Sequence, residues 1–108
     1  MRLLVSVVDA GEARDAAAAG ADIIDVKNPG EGSLGAPSPT VIEGVRAAVP
    51  EPLPVSAAIG DMPNLPGTAA LAALGAARSG AAFVKVGLWG VSTEDDAVAL
   101  LRIGRAHV

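Results

Sequence analysis

Cysteine is absent from this chain, which excludes disulfides and thiolate metal sites. Histidine occurs once, as His107, with no histidine or cysteine near it, so no metal site is expected. Tyrosine is missing as well. One Trp, one Phe and 8 basic residues, under a net charge of -4, provide neither the stacking platform nor the basic patch that nucleic-acid binding requires. Long hydrophobic runs are also lacking: nothing approaches the ~20 apolar residues of a membrane span. The apolar start from Met1 to Val8 is interrupted by Asp9 too soon for a signal peptide. The expectation is a cytoplasmic protein with no membrane and no nucleic-acid partner.

What is present is a small-residue globular pattern. The 108 residues suit one domain, and 51% hydrophobic content with a mean hydropathy of +0.47 comes largely from alanine, with 13 glycines. Leu3 to Val8 reads as a strand, and Asp9 with Glu12 then caps an alanine-rich helix that ends at Gly20. Asp22 to Val26 is a second strand, too continuously apolar to be half-solvated, as in a parallel sheet covered by helices. Residues 28–37 carry three glycines and two prolines, a composition that predicts a loop without regular structure. Ser38-Pro39 opens a helix through Val41, Ile42, Val45 and Val49. A third strand, Val55 to Ile59, runs into Gly60-Asp61, and a helix from Thr68 to Ser79 stops at Gly80. The fourth strand is Phe83 to Leu88, and Ser92 to Asp96 begins a last helix that Val98, Leu100, Leu101 and Ile103 carry onward.

Strand and helix therefore alternate four times. Residues 18–25 also lie against residues 78–85 at an offset of 60, each a helix end, glycine, alanine and strand, which is either an internal repeat or the common look of such turns. The pattern predicts an α/β fold of parallel (β/α) units, half of a TIM (β/α)8 barrel, with a small open doubly wound sheet as the rival.

Two stretches stand out chemically, Asp22 to Pro29 and Ala82 to Gly90, because each drives an apolar strand into a lysine. A lysine among Ile23, Ile24 and Val26 reaches water, pairs with Asp25, or gives up its proton more readily than a free amine. Asp25 and Lys27 share one face of their strand, as Lys85 and Gly87 share one of theirs. In a parallel barrel Lys27, Lys85 and residues 56–61 all fall at the carboxyl ends of strands, where active sites form. Two ammonium groups roughly 6 Å apart repel by about 2.8 kcal/mol at an effective dielectric of about 20, which favours one neutral amine. A neutral amine captures carbonyls as imines, while the other lysine or Asp25 moves protons. Each residue has a plainer reading too: lysines that snorkel into solvent, Asp25 as a salt bridge to Lys27, Asp61 as a turn or cap acid, Trp89 as packing, and Gly30, Gly32 and Gly35 as flexible loop.

Leu3-Leu4-Val5-Ser6, residues 20–29 with residues 31–36, Val55-Ser56-Ala57 with Gly60-Asp61, and residues 84–88 with Gly90-Val91 together resemble the (5-formylfuran-3-yl)methyl phosphate synthase family. The resemblance spans nearly the whole chain, and residues 25–36 are its most specific string. It implies a TIM-barrel lyase that joins two molecules of glyceraldehyde 3-phosphate, with loss of phosphate and water, on the way to methanofuran-type carriers. Lys27 then matches the imine-forming lysine and Lys85 the proton acceptor, with Asp25, Ser56 and Asp61 as substrate-binding candidates and no cofactor. Family members are roughly twice as long, so the chain is expected to be a truncated single (β/α)4 domain that pairs with itself as a homo-oligomer or with the missing C-terminal half-barrel.

Overall fold

A computed structural model describes residues 1–102; Ile103 and His107, named above, lie outside them. Four strands alternate with four helices: β1 Leu4–Val7, α1 Ala10–Ala18, β2 Ile23–Val26, α2 Pro39–Ala48, β3 Val55–Asp61, α3 Pro66–Arg78, β4 Phe83–Gly87 and α4 Glu94–Leu101. The sheet has the order β1-β2-β3-β4 and every neighbouring pair is parallel. That is the half-barrel topology the alternation predicts, with α1, α2 and α3 each a crossover between adjacent strands. No helix among the described residues is long and apolar enough to cross a membrane.

Side-chain alternation divides the sheet into two unlike faces. Val7, Ile24, Val26 and Val55 turn outward and pack with Ala13 of α1, Val45 of α2 and Val49 just after it. Ala57 and Ile59 continue that face against Ile42, Ala69, Ala73, Ala76 and Leu100 of α2, α3 and α4. The opposite, inner face carries Leu4, Ser6, Asp25, Ser56, Phe83 and Lys85, the residues one step out of phase. Alanine-lined helices let α3 sit close over β3 and β4, which is why a chain poor in large side chains still builds a core.

Local chemistry sets the element ends. Asp9 accepts from the Glu12 N–H at 2.8 Å while Glu12 accepts from the Val8 N–H at 3.0 Å, a reciprocal cap on α1. Ser38 caps α2, as the sequence predicts, and Thr93, within the start expected at residues 92–96, caps α4, whereas α3 starts two residues before the expected Thr68, with Pro66 in its first turn and no side-chain cap. The turns into β2 and β4 repeat each other: Gly20 and Gly80 have φ of +103° and +118°, and Asp22 and Ala82 donate backbone bonds of 2.8 and 2.7 Å to Leu3 and Val55. The sequence likeness between residues 18–25 and 78–85 is thus matched in backbone geometry. Residues 28–37 correct the expectation of an irregular loop. Pro29–Glu31 form a 3-10 turn capped by the Asn28 side chain, and the Asn28 N–H donates to the Gly35 carbonyl at 2.9 Å, folding the segment back on itself.

Candidate active site

The inner face is apolar at its amino end and polar toward its carboxyl end. Ser6, Asp25, Ser56 and Phe83 form one row across the four strands, since Ser6 pairs with Asp25, Asp25 with Ser56 and Ser56 with Phe83. One pleat further toward the carboxyl ends lie Lys27 and Lys85, the two lysines of the sequence. Ala58 stands opposite Lys85, and one more step of the β2–β3 ladder brings Ala58 opposite Lys27. The lysines therefore share a face and a level with one strand between them, roughly 10 Å apart at the backbone.

Asp25 is the centre of this arrangement. It is fully buried, yet its carboxylate has three donors: the Ser56 hydroxyl at 2.7 Å on Oδ1, with the Ser6 hydroxyl at 3.0 Å and the Lys85 ammonium at 2.9 Å on Oδ2. A buried carboxylate without such partners would cost several kcal/mol. The plainer reading of Asp25 as a salt bridge to Lys27 is corrected: Asp25 pairs across β3 with Lys85, whose ammonium reaches the carboxylate one row nearer the amino ends. Lys85 keeps 36% of its side chain exposed, so its amine faces both the carboxylate and the open inner face. Lys27 has no ion pair among the described residues. It lines an open cavity of about 530 Å3 with Val8, Asn28, Glu31, Pro37 and Ser38. Lys85 lies outside that cavity, so the two amines meet different surroundings, one at the β2–α2 loop and one beside a buried acid.

Asp61 reaches the same face by an irregularity. Ala58 pairs with Lys85 but Asp61 pairs with Gly87, so three steps on β3 answer two on β4. The extra residue is a β-bulge, made possible by Gly60 at φ +98°, and it turns Asp61 from the helix side to the lysine side. Gly87 has no room for a side chain: a Cβ there would fall onto the Asp61 carboxylate and within 3.0 Å of Leu34 Cδ1. Asp61 accepts from the Trp89 N–H at 3.2 Å. Trp89 itself is 82% exposed at the rim, which corrects its reading as a packing residue.

Ser6 escaped the sequence reading, as did the bulge. A lone serine in an apolar strand is unremarkable until its partner strand is aligned. The available signal was the match of Val5-Ser6 to Val55-Ser56, which places a hydroxyl on either side of Asp25.

Fold and site together define a class: four (β/α) units of a TIM-barrel protein with lysines and carboxylates gathered at the carboxyl ends of its strands. The solved structure of 2,3-dimethylmalate lyase, a PEP mutase/isocitrate lyase superfamily member, is similar in fold, with a TM-score of 0.67 and 21% identity over 97% of this chain and 44% of that one. The 4-HFC-P synthase family matches residues 3–108, and the chain belongs to that family. It is 57% identical over 102 residues to the (5-formylfuran-3-yl)methyl phosphate synthase of Methanocaldococcus jannaschii, covering 94% of this chain and 43% of the relative. The synthase of the same name from Methanosarcina mazei is 57% identical over 107 residues, 98% of this chain and 46% of the relative. The chain thus spans less than half the length of the curated relatives it matches.

Proposed function

We propose that these four units are part of a furan-forming lyase and carry two of its lysines, Lys27 and Lys85. Two molecules of glyceraldehyde 3-phosphate would be condensed through an imine on Lys27 and, with loss of phosphate and water, become (5-formylfuran-3-yl)methyl phosphate. The observation that supports this most is the placement of Lys27 and Lys85 on one face and level of a parallel sheet, one beside an open cavity and the other hydrogen-bonded to a buried carboxylate. The names of the relatives supply the product.

The roles follow from the surroundings. Lys27, free of an acid partner among the described residues, is the amine that attacks the aldehyde carbon; water leaves and the imine draws electrons from the adjacent carbon. Lys85, bridging Asp25 and the open face, exchanges the proton at that carbon. Asp61, exposed at the rim on the same face, is placed to accept a hydrogen bond from a substrate hydroxyl. The Asp25 carboxylate 2.9 Å from the Lys85 ammonium gives the two lysines different partners.

Borohydride trapping with glyceraldehyde 3-phosphate tests the reading. Mass spectrometry should find a reduced adduct on Lys27, lost in Lys27→Arg and kept in Lys85→Gln. Absence of an adduct would remove imine chemistry, and an adduct on Lys85 alone would reverse the assignment. An ultraviolet-absorbing furan, as opposed to a plain aldol product, separates this lyase from another imine-forming aldolase.

A further inference from the structure

We infer that Ser6 and Ser56 are positioning residues that act through Asp25 on Lys85, and that Asp25 and Ser56 hold this proton-transfer group in place without touching substrate. The inference deepens the proposed function, since it concerns the same face, but its geometry stands apart from the identity of the substrate. Asp25 has no exposed surface and Ser56 is 2% exposed, so neither offers a face to a ligand. Both Asp25 oxygens are engaged. Ser56 fixes Oδ1 and Ser6 shares Oδ2 with Lys85, which leaves the carboxylate one orientation, with Oδ2 toward β4.

The two hydroxyls donate to the Asp25 carboxylate from either side, one to each oxygen. They remove rotation about the carboxylate, so the amine is tethered at a fixed point on the open face. Without Ser56, Oδ1 becomes a buried acceptor with no donor, and the carboxylate relaxes by rotating towards another one. That rotation loosens Lys85. Lys27, with its own cavity and no bond to this cluster, is untouched.

Because Lys27 and Lys85 are the two lysines of the chain, the test is direct. The full chain is labelled briefly at neutral pH with a small amine-acylating reagent, and the Lys85 to Lys27 labelling ratio is read by mass spectrometry. The ratio should rise about five-fold in Ser56→Ala and in Ser6→Ala, more in Asp25→Asn, and stay at the parent value in Ser6→Thr, which keeps the hydroxyl at an exposed position. A residue that merely supports the fold would raise both lysines together and leave the ratio unchanged; that result, in variants that still melt cooperatively, would overturn the inference. So would a Ser6→Thr chain that behaves like Ser6→Ala. No substrate enters the assay, so a chain that traps no aldehyde can still show the serine effect, and the two proposals fail separately.

Discussion

Gly87 shows how one missing side chain shapes the site. Its Cα lies against the Asp61 carboxylate, which the Gly60 bulge has turned toward the lysines. A methyl there forces Asp61 away and breaks its bond from the Trp89 N–H. Gly87→Ala should therefore destabilise the chain by about 1–3 kcal/mol, the usual range for overpacking a filled site. It should also speed amide exchange at Trp89 several-fold, read by nuclear magnetic resonance. Asp61→Asn keeps an acceptor oxygen and the space, so its Trp89 amide should exchange close to the parent rate. If Gly87→Ala left that amide protected, the close approach would have no hold on the rim loop.

At the scale of elements, the caps were legible and the bulge was not. Asp9, Ser38 and Thr93 precede their helices with the side-chain oxygens that first-turn amides need, so local chemistry alone located those ends. The sequence ends the third strand at Ile59, two residues short of its end at Asp61, and which way Asp61 faces depends on pairing with β4, a neighbour distant in the chain. The same reason hid Ser6 and sent Asp25 to Lys85: a parallel register across strands separated by helices is set by packing, not by adjacent residues. The Asp9–Glu12 cap yields an element-scale test. Asp9→Ala should lower stability by about 1 kcal/mol in urea denaturation. Adding Glu12→Ala should cost less than the sum of the single losses, because the two side chains serve one helix end reciprocally. Full additivity would mean the two bonds are independent.

Across the whole molecule, the two sheet faces differ in a way that separates stability from association. The outer face is covered by four helices and includes Ile24, Val26 and Val55, each fully buried. On the inner face Leu4 is 43%, Val8 41% and Phe83 56% exposed, and among the described residues β1 and β4 each have a strand on one side only. Unpaired parallel edges and exposed apolar side chains favour docking of further strands. We expect the 108-residue chain to associate with rising concentration in sedimentation velocity. Phe83→Glu should suppress that association while shifting the thermal midpoint by no more than about 3 °C, since a half-exposed side chain contributes little to the unit's own core. Val55→Glu, by contrast, places a charge in the buried outer face and should prevent cooperative folding. If Phe83→Glu unfolded the chain instead, the inner face would belong to its own core, and the division of the sheet into a finished outer side and an unfinished inner one would be wrong.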